Sequence, residues 1–429
     1  MKKLVFILTL FVIQANAQQL SLQDAVNIAL KNSFDIQIAK NNVQISSINN
    51  NIGVAGGLPT VTATASDQES VININQKLNT GTEISRNGAT SNNLNANVTG
   101  TMLLFNGYRV VATKKRLEEL QKQSEQLLNA QIQNTIAAVM VKYYDVVRQQ
   151  GYIKTLEQSI SLSKKQLELV QVKQRLGLAN NSDLFQSQIG LNTRLQDMQS
   201  QLLFIQQAKT DLLNLLNLKA DSTVNIHDTI VVAKDIKLAD VLNGIAANPQ
   251  IISLDNQIKI NELIEKETAA LRSPSVRANT GVNYGRTQAD GGQLLLNQSY
   301  GPFVNVGVSI PLYSGGTIKR QQQTSSINTR NAKLQKESVL NSFQSNAVKT
   351  YQSYTVNIEQ VKTQQNTFAI SAQLVNLVIQ RYQLAQATIL ELTDALKSYE
   401  DAGYRLTNLS YNAKIAEIEL KRLSGKLGL

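Results

Sequence analysis

Two spacings of apolar residues organise this chain. Tyr354, Ile358, Val361, Gln365, Phe368, Ala372, Val375, Ile379 and Tyr382 follow one another at alternating steps of four and three, the heptad seam of packed helices, with Gln365 as its one polar interruption. A less regular seam runs through Leu128, Ile132, Thr135, Val139, Tyr143 and Val146, then Ile153, Leu156, Ile160 and Leu167. The segments that carry these seams, residues 107–175 and 315–381, contain none of the five prolines, so each is expected to be one helix of roughly 100 Å at about 1.5 Å per residue. No ordinary globular domain needs helices of that length.

Elsewhere the period drops to two. In residues 93–105 Leu94, Ala96, Val98, Gly100, Met102 and Leu104 alternate with Asn93, Asn95, Asn97, Thr99 and Thr101. In residues 303–312 Val304, Val306, Val308, Ile310 and Leu312 alternate with Asn305, Gly307 and Ser309. Partner strands are expected near residues 60–75, with Val61, Ala63 and Ala65, and near 276–284, with Val276, Ala278 and Val282. A soluble sheet resting on a core alternates in the same way. A greasy face backed by amides and hydroxyls, on strands of roughly 10 residues flanked by Phe105, Tyr284, Tyr300, Phe303 and Tyr313, also meets the needs of a water-filled membrane barrel. Four strands cannot close around water, and unpaired edges are not tolerated in lipid, so a membrane role requires several chains to pool their strands.

The two kinds of segment recur in order. The stretch from Leu103 to Arg109 resembles that from Pro311 to Thr317 at an offset of 208, Arg175 to Ser182 resembles Arg381 to Thr388 at 206, and Leu22 to Asn32 resembles Leu238 to Asn248 at 216. This predicts two structural repeats. The first, residues 18–218, holds a helix from 20 to 53, a strand pair at 58–105, a long helix at 107–175 and a return helix at 182–218. The second, residues 238–429, holds a helix from 238 to 272, a strand pair at 274–313, a long helix at 315–381 and a return helix at 386–427. Residues 219–237 link them. The shrinking offset predicts a shorter strand loop in the second half, at 288–299, and outward loops at 77–91 and 286–299.

Composition narrows the setting. Lys2 and Lys3, an apolar run from Leu4 to Ile13 and the small-residue site Ala15, Asn16 and Ala17 have the order of a secretory signal peptide over residues 1–17. Cysteine is absent, which removes disulfides and thiolate metal sites. No later apolar stretch is long enough for a membrane helix, so any spanning element must be a strand barrel, which points to an outer membrane. The net charge of +11 is spread along the helices without a dense block or base-stacking motif, which argues against nucleic acid.

Catalytic chemistry finds no foothold. His227, the single histidine, lies beside Asp228 without a second histidine, a cysteine or a nucleophile, and reads as a surface residue. The glycines Gly53, Gly56 and Gly57 lack the lysine and strand context of a phosphate loop and read as a hinge between helix and strand. No enzyme, cofactor or metal site is expected.

The opening Leu20, Ser21, Leu22, Gln23, Asp24, Ala25 through Leu30 with Asn32, the corners Leu104 to Gly107 and Leu312 to Gly315, and the turn Arg175 to Leu178 with Ser182 resemble the outer membrane efflux protein (TolC-like) family. The likeness covers essentially the whole chain after residue 17. It implies a mainly α fold with membrane β: antiparallel coiled-coil helices forming an α-barrel, and four strands per chain in a homotrimeric 12-stranded β-barrel. It implies an exit duct in the outer membrane, its helices in the periplasm, working with a periplasmic adaptor protein and an inner-membrane efflux pump or ABC exporter. Without the barrel, the seams alone would describe a periplasmic or secreted coiled-coil scaffold.

The same resemblance places adaptor docking at Arg175, Leu176, Gly177, Leu178 and Ser182 and at Arg381, Tyr382, Leu384 and Thr388. The second turn offers Gln383 in place of Gly177, so an unequal grip is expected. A glycine also ends helices by accepting positive φ, and both readings of Gly177 stand. Relatives that close their periplasmic end with aspartates differ from this chain, where residues 361–381 hold no carboxylate. The expected constriction is Asn376, Arg381 and Tyr382, closing through amide hydrogen bonds and the packing of Tyr382.

Overall fold

The computed structural model describes residues 18–291 and 294–427; the expected signal peptide lies outside them. The elements run β1 (Gln18–Gln19), α1 (Leu22–Asn32), α2 (Phe34–Asn49), β2 (Thr60–Lys77), β3 (Glu83–Phe105), α3 (Arg109–Arg175), α4 (Asn181–Leu215), β4 (Val224–Asn225), α5 (Leu238–Gly244), α6 (Pro249–Ala270), β5 (Ser275–Ala289), β6 (Leu296–Ser309), α7 (Thr317–Gln383) and α8 (Ile389–Leu423). They fall into two compact units. One holds Leu127–Ile251 and Val339–Leu429 with the N-terminal residues to Lys40, and the other holds Asn41–Gln126 and Ile252–Ser338.

Each of α3 and α7 is 67 residues long, and each of α4 and α8 is 35. In the first unit they bury their seams in three clusters. Val139, Tyr143 and Val146 of α3 pack with Leu212 of α4 and with Val26 and Ala29 of α1. Phe343, Ala347 and Tyr354 of α7 pack with Leu420 and Leu423 of α8 and with Val241 of α5. The third cluster sits at the helix turns. A fully buried leucine or valine contributes about 2 kcal/mol, so a long seam holds helices whose propensity alone would not fix their pairing.

The seam on α7 takes a slightly different line from the one its apolar residues suggest. Tyr354, Val375 and Tyr382 are buried, but Gln365 is exposed, and the buried polar residue is Gln364, whose Nε2 donates to the Ala402 carbonyl at 3.1 Å. Ser371 and Val378 are buried more deeply than Ala372 and Ile379. At 3.6 residues per turn the line of contact can pass either neighbour of a seam position, and a small or hydrogen-bonded residue lets the facing helix approach.

Two expected helices are broken. The first stops at Ser33, whose N–H donates to the Ala29 carbonyl at 2.8 Å and whose Oγ accepts from the Ile36 N–H at 3.4 Å. The second passes from α5 through one 3₁₀ turn (Ile245–Ala247) to Asn248, held extended as the residue before Pro249 must be. Asn248 restores what the break leaves open: its Oδ1 accepts from the Gln250 N–H at 2.9 Å, and its Nδ2 donates to the Arg422 carbonyl at 3.0 Å. The linking segment 219–237 lies against the same helices, with the Ala233 N–H donating to Glu417 at 3.0 Å and the Gln150 amide to the Ile226 carbonyl at 2.8 Å.

In the second unit the sheet has the order β2-β3-β5-β6 with every neighbour antiparallel. The strands are longer than expected, at 18, 23, 15 and 14 residues, and most of the loop expected at 77–91 belongs to β3. The links are short in both hairpins, residues 78–82 and 290–295, so the halves differ in strand length rather than in a shorter second loop. Gly281 is required where β5 crosses β3, because a Cβ there would collide with the Val98 carbonyl.

Candidate functional site: two helix turns and a two-faced sheet

The α3–α4 and α7–α8 turns solve one problem the same way. A helix end leaves carbonyls unpaired, and a residue with positive φ folds the chain back to cap them. After α3 that residue is Gly177 (φ 72°), with the Gly177 N–H on the Gln174 carbonyl at 2.9 Å and the Leu178 N–H on the Lys173 carbonyl at 2.8 Å. After α7 it is Ala385 (φ 56°), with the Ala385 N–H on the Tyr382 carbonyl at 3.2 Å and the Gln386 N–H on the Arg381 carbonyl at 2.8 Å. The returning helices open on matching caps. Asn180 and Asp183 form a reciprocal capping box, and Thr388 Oγ1 accepts from the Glu391 N–H at 3.2 Å.

This geometry corrects the offset of 206. Gly177 corresponds to Ala385, Asn180 to Thr388 and Leu176 to Leu384, a constant 208, so Gln383 is not the residue opposite the glycine, and Ser182 is not the counterpart of Thr388. The patterns Asn180-x-x-Asp183 and Thr388-x-x-Glu391, each ahead of an apolar run, carry the cap signal in the sequence and fix the register that a match on the arginines misses.

The expected docking residues are brought together in part. Leu176 and Leu178 are 67% and 68% exposed, Leu384 is 69% exposed, and Arg175 and Ser182 are exposed beside them. Tyr382 is different, with 5% of its surface exposed among Val170, Val378, Ile389 and Leu392. Lys173 Nζ stands 4.2 Å from the centre of the Tyr382 ring and also donates to the Tyr382 carbonyl, so the first turn is tied to the second. Burial pushes the Tyr382 phenol above its ordinary value, and the charge of Asp183 adds to the shift.

Of the expected constriction, Asn376 and Arg381 are exposed on α7. Arg381 is turned along its own turn, donating to the Gln386 carbonyl at 2.8 Å with Glu391 at 3.9 Å. Tyr382 packs inside its own chain and does not project as a closing residue.

The sheet is the second site. One face carries Val61, Ala63 and Ala65 of β2, Leu94 to Met102 of β3, Val276 to Tyr284 of β5 and Tyr300 to Val308 of β6 in register, and past a bulge at the end of β3 Phe105 stands opposite Val276. These apolar side chains are open, Val304 at 81% and Val306 at 62%. The band covers about eleven positions of β3, roughly 35 Å of strand and about 25 Å of height at a tilt near 45°. The other face is mostly threonine, asparagine, serine and glycine, with Leu103, Arg277 and Phe303 among them. Among the described residues no helix is long and apolar enough to cross a membrane, and no group of three or more His, Asp or Glu could hold a metal. His227 is exposed.

The model of the outer membrane efflux protein family matches residues 25–218 and 266–426, most of the chain. The chain belongs to the outer membrane efflux protein family. It is 23% identical over 410 residues to toxin and drug export protein A of Aggregatibacter actinomycetemcomitans, covering 92% of this chain and 84% of that one. It is 22% identical over 325 residues to outer membrane protein TolC of Vibrio cholerae, covering 72% of each. The fold is that of the outer membrane protein VceC of Vibrio cholerae, with a TM-score of 0.77 at 16% identity over 94% of this chain and 96% of that one. The channel CusC gives 0.78 at 15% identity over 94% and 91%. This family member is an outer-membrane efflux channel, with the fold of a channel rather than an enzyme.

Proposed function

We propose that three copies of this chain pool their strands in a closed barrel of twelve, and that the chain is a passive exit duct built from two structural repeats. The observation that carries this is the sheet. Its apolar face is open and about as tall as a bilayer core, its opposite face is amide and hydroxyl, and β2 and β6 are free edges that lipid would not tolerate unpaired. A third of a barrel explains all three. The recurring order of helices, with α7 starting at Thr317 and α3 at Arg109, gives each chain two helix pairs for a tunnel on the periplasmic side.

The exposed leucines at the turns are the docking contacts for a periplasmic adaptor, which couples the duct to an inner-membrane efflux pump or ABC exporter. Such open apolar groups at a helix tip mark a partner surface. The grip is unequal, because Leu178 of the first turn faces an adaptor where the second has Gln386. Closure of the periplasmic end rests on Asn376 and Arg381, with Tyr382 holding the second turn in place rather than plugging the lumen. No group in the chain supplies energy, so opening is a shift of population driven by a partner that binds the open arrangement better. The export of toxins and drugs in a relative's name supports an organic cargo.

The test is the mature chain in detergent and in planar bilayers. A trimer that needs detergent and conducts ions is the expected result. A soluble monomer without channels would leave only a coiled-coil scaffold.

A further inference from the structure

Where all four strands run side by side, the polar face of the sheet carries one charge. From Thr60 to Ser70 on β2, Ser91 to Thr101 on β3 and Asn297 to Ser309 on β6, the positions on that side hold no lysine, arginine, aspartate or glutamate, and on β5 they hold Arg277 alone. Arg277 pairs across Leu103 and Gly307, in the third residue of β5, at the end of the sheet next to the helices. Gly307 places no side chain over it. Arg277 is exposed, and no carboxylate of the described residues pairs with it.

The surroundings do not cancel this charge. Residues 101–117, 268–289 and 302–336, which build the junction of strands and helices, contain no aspartate or glutamate. Of the sheet's carboxylates, Asp67 and Glu69 are on the apolar side, both held by the Asn92 amide at 2.7 and 2.9 Å, and Glu83 at the far end pairs with Lys77 at 2.7 Å. Asp67 pairs with Leu94, nine positions from Leu103, or about 30 Å along the strand.

We infer that Arg277 makes the strand pore anion-preferring, so that solutes carrying carboxylate, sulfonate or phosphate groups pass the inner mouth of the barrel more readily than cations of equal size. The inference rests on the trimeric barrel proposed above. Twelve strands spaced about 4.8 Å apart and tilted near 40° close at a backbone radius of roughly 12 Å. Three guanidinium groups then ring an axis that lies within about one Debye length of the wall at 0.1 M salt. Their summed potential favours small anions over cations on the order of threefold, and at 1 M, with a Debye length of about 3 Å, the preference fades.

Reversal potentials across a potassium chloride gradient, measured on the full mature chain in planar bilayers, test it. Wild type should show a chloride-to-potassium permeability ratio above one at 0.1 M that falls toward one at 1 M. Arg277→Lys should keep the ratio, Arg277→Gln should bring it close to one, and Arg277→Glu should push it below one. If Arg277→Glu does not assemble, the Lys and Gln pair decides, since both keep a polar side chain at an exposed position. Conducting channels whose ratio is the same in wild type and Arg277→Gln would overturn the inference and leave the barrel standing. A chain that never conducts would overturn the barrel and this inference with it.

Discussion

The two helix turns share a backbone and differ in what holds it. The first has a glycine at its positive-φ position and a half-buried Gln174, bonded to Asn181, one turn before it; the second has Ala385 there and the buried Tyr382 in the place of Gln174. A residue with a Cβ costs about 1 kcal/mol or more in the left-handed region, and burying an aromatic ring contributes about 2 to 3 kcal/mol. The second turn therefore carries local strain that its anchor more than offsets. The first is unstrained, packs through Val170, Ala179 and Leu184, and is tied to the second by Lys173 reaching the ring and carbonyl of Tyr382. Helix ends dictate the hydrogen-bond pattern, while the residues that secure it are open to change. That is how two tips of one shape come to differ in the side chains that hold them and in those they leave open.

The largest effect should come from removing the anchor. Tyr382→Ala empties a packed site, and large-to-small changes of this kind cost about 3 kcal/mol or more. Amide hydrogen exchange of the detergent-solubilised protein should show faster opening over residues 381–392, and also over 173–180, since Lys173 loses its ring. Gln174→Ala should stay within about 0.5 kcal/mol and change neither tip. Equal effects of the two substitutions would mean that the tips are secured alike and that Tyr382 is no anchor.

The next effect tests the glycine. Gly177→Ala should destabilise the first turn by about 1 kcal/mol, while Ala385→Gly should relieve strain and change the second by a few tenths in either direction, because glycine also frees the unfolded chain. Exchange at the Leu178 and Gln386 amides, the bonds that close each turn, reads both. A loss from Ala385→Gly as large as that from Gly177→Ala would show that the alanine is not strained.

Much of this molecule was legible before its coordinates. The long helices follow from a heptad seam without proline, and the sheet from alternation with an apolar parity that the register of β3, β5 and β6 preserves. What could not be read are features decided by pairing. Strand length depends on how far β2 and β3 zip beyond β5, where their residues 71–77 and 83–90 pair with each other and Asp290 adds bonds to Thr90 and Arg86. Helix breaks depend on Ser33 and Asn248 finding backbone partners. At the tips, matching arginine to arginine gave the wrong register, since Arg175 is the last residue of α3 and Arg381 is two before the end of α7. The caps Asn180 and Thr388 were visible in the sequence and carry the register. The role of Tyr382 was hidden for a different reason: a seam residue and a lumen-closing residue look identical until the ring is seen to face its own chain.

The smallest expected effect is electrostatic and couples the two turns. Tyr382 is neutral when protonated, and burial raises its phenol above the unfolded value near 10, with the Asp183 carboxylate of the opposite turn adding to the rise. The stability this gives is fully present below about pH 10 and is lost as pH rises through the folded value, so the second tip should loosen in alkali. Tyrosinate absorbance of wild type minus Tyr382→Phe isolates this one group among the 13 tyrosines. Asp183→Asn removes the charge and keeps an amide that can cap α4, so the midpoint should move down by a fraction of a unit, with the burial part of the shift remaining. A midpoint that does not move would show that Tyr382 responds to burial alone, and that Lys173 is the only polar tie between the tips.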